Sequence, residues 1–145
     1  FYQIFPDRFA SSGAKRELPE WAIPRKWSAL PKGRDKTTGQ EFYGGDFPGI
    51  TSKLDYLRDL GVNSIYFTPA FPSRSNHRYD ASSFDEIDPL LGGDDGFIEF
   101  SNAAHKAGFR IMGDLTTNHC GAGHRWRQGQ HVGRLLQKAL EPVCA

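Results

Sequence analysis

An acid, an amide and an imidazole follow one another closely at the end of an apolar run. Residues 109–115 predict a buried strand, with Asp114 near its end and Asn118 and His119 just beyond it. Alternate side chains of a strand point to opposite faces, so Asp114 could enter a crevice while Asn118 and His119 lie over its mouth. Spacing leaves an alternative open, in which Asp114 caps a helix and His119 is a surface residue.

A second polar group, residues 76–80, reads Asn-His-Arg-Tyr-Asp. A sugar presents an apolar ring face that stacks on aromatic rings, and hydroxyls that need directional donors and acceptors. Tyr79, between His77 and Asp80, suits such a pocket. Taken alone, Tyr79 is equally compatible with a partly buried packing role, so this segment needs support from elsewhere.

Other chemistries find little support. Gly44-Gly45 and Gly92-Gly93 match neither of the glycine-rich nucleotide motifs. Cys120, His119 and His124 lack the paired spacing of a structural zinc site, and His-Glu-x-x-His is absent from the sequence. Asp7 and Arg8 predict a local ion pair.

Composition narrows the class of protein. The 145 residues are 38% hydrophobic and 13% aromatic, with a net charge of +1. A membrane span would need about 18 consecutive apolar residues, which the chain lacks. The small net charge argues against nucleic acid as a partner and favours a small or uncharged ligand. Two cysteines, Cys120 and Cys144, favour a reducing compartment, the cytoplasm.

Hydrophobic patterning predicts the elements that must position the polar residues. Residues 1–5, 62–67 and 109–115 are apolar runs typical of buried strands. Helical spacing of apolar residues predicts one helix from Asp46 to Leu60, ended by Gly61, and another from Asp94 to Gly108. Residues 14–36 are basic, broken by prolines and carry Trp21 and Trp27, so they predict a long surface loop. The alternation predicts a parallel sheet with long loops at the carboxyl ends of its strands.

Five segments in order carry a resemblance to a known family: residues 1–10, 42–50, 61–71, 76–93 and 113–121. They resemble the alpha-amylase family of glycoside hydrolases, family 13, and within it the neopullulanase and cyclomaltodextrinase branch. The resemblance implies an α/β fold, a partial (β/α)₈ TIM barrel with about the first three βα units in residues 1–124. It also implies retaining hydrolysis or transglycosylation of α-1,4 or α-1,6 glucosidic bonds in starch-derived oligosaccharides.

The resemblance also assigns roles to the polar residues. It makes Tyr79 the platform under the sugar at the cleaved position, His77 and His119 donors to that sugar's hydroxyls, and Asp114 the acid that orders the site. Asn118 matches a position that binds a structural calcium in many members. The family's nucleophile and acid/base follow later strands, so we expect the catalytic residues beyond residue 145 and none within it. A homodimer is a further expectation for the parent enzyme.

The end of the chain departs from the family pattern. Residues 37–120 hold six basic and twelve acidic residues, whereas residues 121–145 hold four and one. We therefore expect residues 125–145 to form a divergent basic tail, with Leu135, Leu136 and Leu140 in a short helical array, produced by a frameshift or misjoined end near residues 122–127. An alternative function, a non-catalytic α/β carbohydrate-binding or interaction module, stays open.

Overall fold

Three parallel strands form the main sheet of the computed structural model, which describes residues 1–128. The central strand, residues 64–67, pairs with a strand on each side. Its Ile65 lies opposite Tyr2 on one side and opposite Ile111 on the other. The strands of the chain are β1 (Tyr2–Ile4), β2 (Ile23–Pro24), β3 (Glu41–Phe42), β4 (Ser64–Phe67) and β5 (Arg110–Gly113). The main sheet has the order β1-β4-β5, which confirms the predicted parallel sheet.

The helices connect and cover this sheet. They are α1 (Pro6–Phe9), α2 (Phe47–Thr51), α3 (Leu54–Asp59), α4 (Gly93–Lys106) and α5 (Arg125–Gln128), with 3₁₀ turns at Thr38–Gln40 and Pro89–Leu91. Gly61 and Gly108 end α3 and α4 as predicted, each with a positive φ, of 81° and 87°. In both, the next residue's N–H reaches back five residues to a helix carbonyl, which is the hydrogen bond of a Schellman motif. No helix of residues 1–128 is long and apolar enough to cross a bilayer.

The single helix predicted from Asp46 to Leu60 is wrong, because the structure divides it into α2 and α3. The Ser52 hydroxyl donates to the Gly49 carbonyl at 2.6 Å. The Lys53 N–H bonds instead to the Ile50 carbonyl at 2.9 Å, which tightens the turn and interrupts the α-helical ladder. The apolar stripe survives the break, since Ile50, Leu54 and Leu57 are all buried.

The hydrophobic core lies between the helices and one face of the sheet. Phe47 of α2 stacks on Phe100 of α4 at 5.3 Å between ring centroids and meets Phe67 of β4 edge-on at 5.4 Å. Ile65 and Phe67 are buried on this face, whereas Tyr66 between them is only half-buried. Alternation along a strand therefore directs Tyr66 to the opposite face of the sheet.

The predicted surface loop of residues 14–36 is more ordered than expected, since β2 lies within it and pairs in parallel with β3, which follows it. Residues 14–42, which include both strands, are called the excursion below. Trp21 meets Phe42 edge-on at 5.5 Å between ring centroids, whereas Trp27 is 44% exposed. The buried carboxylate of Glu41 lies 3.3 Å from Arg25 Nε and accepts from the Lys32 N–H. Two-residue strands have no periodic signal, which is why the sequence did not predict them.

The predicted basic tail lies almost entirely outside the described residues, and so does its Leu135, Leu136 and Leu140 array. Just before it, His124 is buried, and its ring centroid lies 5.3 Å from that of Phe84 and 4.4 Å from that of Trp126. The boundary after residue 124 and the frameshift both stay predictions.

Candidate functional site

The polar residues predicted at strand ends meet at the carboxyl edge of the main sheet. Asp114 directly follows β5, and Tyr79 lies in the loop that follows β4. The Tyr79 hydroxyl donates to Asp114 Oδ2 at 2.7 Å, and the Tyr66 hydroxyl donates to the same oxygen at 2.5 Å. Asp114 therefore joins two neighbouring strand ends through two tyrosines, instead of capping a helix.

Tyr66 is a site residue that the sequence reasoning missed. The signal was present, because strand alternation places Tyr66 on the face opposite to Ile65 and Phe67. Hydrogen bonding to the Asp114 carboxylate, with a smaller contribution from burial, raises the pKa of Tyr66 and that of Tyr79. Both phenols therefore stay protonated at neutral pH and act as donors to Asp114.

The His77 ring lies next to Tyr79, with 5.9 Å between centroids and 31° between ring planes. The Tyr79 backbone N–H donates to His77 Nδ1 at 3.2 Å, and the Ser75 hydroxyl lies 3.1 Å from the same nitrogen. Ser75 also donates to Asp80. Because Nδ1 accepts, the neutral imidazole carries its proton on Nε2, which leaves that nitrogen as a donor for a ligand.

His77 also lines a cleft of about 580 Å³ between the excursion and residues 75–80, which are called the site loop below. The Arg8 guanidinium lies 3.7 Å from the Tyr43 ring centroid and 5.6 Å from that of Trp27. The volume is within the range of small-molecule sites. Aromatic rings and polar groups together suit a neutral, hydroxylated ligand. The lining residues include Phe5, Arg8, Lys36, Gly39, Tyr43 and His77.

The predicted ion pair between Asp7 and Arg8 is wrong. Asp7 is buried and accepts hydrogen bonds from the backbone N–H groups of Tyr43 and Gly44, while Arg8 stacks on the Tyr43 ring. Burial raises the pKa of Asp7 to about 6, against the lowering effect of those two N–H groups. The sequence places two opposite charges side by side, but it does not show that the Asp7 side chain is buried while that of Arg8 packs on an aromatic ring.

Asn118 and His119 are not brought into this cluster. Both are exposed, and Asn118 Nδ2 lies 3.3 Å from His119 Nδ1. Within residues 1–128, neither side chain makes a hydrogen bond or ring contact with His77, Tyr79 or Asp114. The described chain also brings together no group of three or more His, Cys, Asp or Glu side chains that could hold a metal ion. The calcium position at Asn118, whose partner ligands are expected elsewhere in the protein, stays a prediction.

Parallel strands with an aromatic, imidazole and carboxylate cluster over their carboxyl ends are typical of α/β proteins, whose binding sites lie at that edge of the sheet. Comparison with known proteins gives the particular family. The alpha-amylase catalytic-domain model matches residues 3–135. The chain belongs to the alpha-amylase family, as its five ordered segments predicted.

Named relatives agree with the predicted branch. The intracellular maltogenic amylase of Bacillus subtilis (strain 168) is 44% identical over 128 residues, which are 88% of this chain and 20% of the relative. The cyclomaltodextrinase of Thermoanaerobacter pseudethanolicus is 42% identical over 83% of this chain and 19% of its own length. The chain therefore spans about a fifth of these relatives.

A solved structure confirms the fold. The type III pullulan hydrolase from Thermococcus kodakarensis superposes with a TM-score of 0.77 at 36% identity, over 88% of this chain and 24% of that one. The three parallel strands are thus part of a (β/α)₈ barrel, as predicted.

Proposed function

We propose that this chain is the amino-terminal part of the catalytic barrel of an α-glucan-acting glycosidase. Its bonds would be the α-1,4 or α-1,6 glucosidic linkages of starch-derived oligosaccharides, cleaved by retaining hydrolysis or transglycosylation. The observation that carries the proposal is the convergence of Tyr79, His77 and Asp114 at the carboxyl edge of a sheet whose relatives are named maltogenic amylase and cyclomaltodextrinase.

Each residue of the cluster has a chemical role in this proposal. Tyr79 is 37% exposed, so part of its ring is open to stack on a sugar, and Asp114 holds its hydroxyl. His77 donates from Nε2 to a sugar hydroxyl. Asp114 orders the two tyrosines and keeps its second oxygen for the substrate. His119 joins as a further donor once the segment after β5 is covered by the rest of the barrel.

The bond-breaking groups are proposed to lie beyond residue 145. Retaining glycosidases use two carboxyl groups about 5–5.5 Å apart, one as nucleophile and one as acid/base. The chain spans about a fifth of its curated relatives, so most of the domain that would carry such a pair falls outside it. We therefore expect no cleavage by the 145-residue chain alone. The structural calcium at Asn118 and the parent homodimer both stay predictions.

A cytoplasmic location is proposed with the function. One matched relative is named intracellular, and Cys120 is a free thiol in the described structure. Free thiols persist in reducing compartments.

The coding sequence downstream of codon 145 tests the proposal together with an activity assay. We expect the full protein from that gene to contain the carboxylate pair and to cleave maltooligosaccharides, cyclodextrins or pullulan. The purified 145-residue chain should show no turnover above a mock preparation from the same host. A complete gene without the carboxylates, and a full protein without turnover, would instead identify the non-catalytic carbohydrate-binding module.

A further inference from the structure

Arg78 combines two unfavourable features in the middle of the site loop. Its side chain is fully buried, although a guanidinium is always charged and charged groups are costly to remove from water. Its backbone has φ of 59°, and no other non-glycine residue within 1–128 has a positive φ. Backbone strain of this kind is held in place by surrounding contacts and is concentrated at functional sites.

The buried guanidinium ties together three parts of the loop. Arg78 Nε donates to Asp88 Oδ2 at 2.7 Å, and Nη1 donates to the Asn76 carbonyl at 2.9 Å. The Asn76 side chain in turn donates to the Thr38 and Glu41 carbonyls of the excursion. Arg78 thus connects the excursion, the middle of the loop and the residues that lead into α4.

Asp88 is itself well anchored. Its Oδ1 accepts the Leu90 N–H at 2.8 Å at the start of the 3₁₀ turn, and its backbone N–H donates to the Ala70 carbonyl at 2.8 Å. The guanidinium therefore bonds to a carboxylate that cannot shift without loosening the approach to α4. Because two nitrogens of the planar guanidinium bond to two different acceptors, the Asp88 carboxylate and the Asn76 carbonyl, both the position and the orientation of the Arg78 side chain are fixed.

The turn at Arg78 determines how its two neighbours meet. The Arg78 N–H donates to the Ser75 hydroxyl at 3.1 Å, and the following N–H, of Tyr79, reaches His77 Nδ1. This geometry sets the His77 tautomer and the 5.9 Å separation of the His77 and Tyr79 rings. The tautomer determines which His77 nitrogen can donate to a sugar hydroxyl, and the ring separation determines whether the same sugar can also stack on Tyr79.

We propose that Arg78 is a positioning residue for substrate recognition, because its clamped guanidinium holds the strained turn that aligns His77 and Tyr79. The proposal rests on the proposed function. Lysine keeps the charge but presents a point donor on a flexible stem, so it cannot occupy both the Asp88 and Asn76 positions of the fork. Arg78→Lys is therefore the informative change.

The experiment measures kcat, KM and the melting temperature of the full protein and its Arg78→Lys variant, with whichever of maltotriose, α-cyclodextrin and pullulan the wild type cleaves. Arg16→Lys is the matched control, because Arg16 Nη1 lies 2.7 Å from the buried carboxylate of Asp46, away from His77 and Tyr79. We expect Arg78→Lys to lower kcat/KM at least tenfold, mainly through kcat, in assays run well below the melting temperature of each variant, where a loss of stability alone leaves kcat unchanged. Arg16→Lys should keep kcat/KM within twofold.

Arg78→Gly separates the backbone from the side chain, since glycine adopts positive φ without strain. We expect it to lose at least as much kcat/KM as Arg78→Lys; if it does not fold, the lysine variant decides alone. A kcat/KM of Arg78→Lys within twofold of wild type would overturn the positioning role, as would an equal loss of kcat/KM in Arg16→Lys. An inactive wild type would overturn the proposed function as well, so the two failures are distinguishable.

Discussion

Two buried regions of this chain are held together by different physics. The apolar core, built around Phe47, Phe67 and Phe100, is stabilised by burial and dispersion, which depend little on direction. The site loop, residues 75–80, is held by an ion pair, carbonyl contacts and a strained turn, all of which depend on orientation. Both regions are well packed, but one provides free energy of folding and the other provides geometry.

Substitutions in these two regions should therefore have different consequences. Changes in the apolar core are expected to lower stability while leaving the alignment of His77 and Tyr79 intact in the folded molecules. Changes in the polar cluster are expected to lower substrate use with little loss of stability. Four variants of the full protein test this division, in order of expected effect.

Phe47→Ala should have the largest effect, a loss of about 3–5 kcal/mol in the free energy of unfolding, because it removes a fully buried ring from the centre of the aromatic cluster. Urea denaturation measures it. Leu60→Ala, at a leucine that is 56% exposed, is the control and should change stability by less than about 0.5 kcal/mol. A loss below about 1 kcal/mol for Phe47→Ala would contradict the assignment of the core.

Asp7→Asn should change how stability depends on pH. Asp7 has a pKa of about 6 in the folded state, whereas the ordinary pKa of an aspartate is 3.8, so the folded state binds more protons than the unfolded state between these pH values. Stability from Asp7 is therefore fully present below about pH 3.8 and is lost as the pH rises through 6. One pKa unit corresponds to about 1.36 kcal/mol, so the wild type should lose about 3 kcal/mol of its free energy of unfolding relative to Asp7→Asn as the pH rises across this window.

Asp46→Asn is the matched control for that experiment, because its sign is opposite. Burial alone would raise the pKa of Asp46, but hydrogen bonds from Ser12, Arg16 and Gly49 outweigh it and lower that pKa. The ionised Asp46 carboxylate therefore stabilises the fold above its ordinary pKa, and this contribution is lost as the pH falls. Denaturation curves at several pH values should show the two variants diverging from wild type in opposite directions; parallel curves would refute the Asp7 assignment.

Tyr79→Ala should lower kcat/KM about 10- to 100-fold, at about 1.36 kcal/mol for each factor of ten, because it removes the ring proposed to stack on the sugar. The melting temperature should change little, since the ring is 37% exposed. Tyr56→Ala is the matched control, with a tyrosine that is 52% exposed on α3. Comparable losses of activity and stability would show that Tyr79 is a packing residue only.

Tyr66→Phe should have the smallest effect, about a fivefold loss in kcat/KM, because Asp114 keeps the Tyr79 hydroxyl after losing that of Tyr66. Steady-state kinetics beside a thermal melt measure it. An unchanged kcat/KM would mean that one tyrosine suffices to orient Asp114, and the cluster would then reduce to Tyr79, His77 and Asp114.

Much of the fold was predictable because its signals are local. The periodicity of Phe97, Phe100 and Ala104 predicted α4, and apolar runs predicted β1, β4 and β5. The break between α2 and α3 was not predictable in this way, because the apolar spacing continues across it, while the Lys53 N–H bonds to the Ile50 carbonyl and not one residue further back. Part of the site was predictable in the same way, since the positions of Tyr79, His77 and Asp114 after strands indicated that they would lie close together. The roles of Tyr66 and Arg78 were not predicted.

Patterns among residues close in the chain were enough to predict the parallel alternation of strands and helices and the strand-end placement of the polar residues, and five ordered segments were enough to predict the family. Which charges are buried depends instead on residues that meet only in the folded chain. Asp7 faces inward because Tyr43 and Gly44 offer two N–H groups, and Arg78 faces inward because Asp88 and the Asn76 carbonyl receive it. Burial of a charge requires partners in the right orientation, and for Asp7 those partners lie more than 30 residues away.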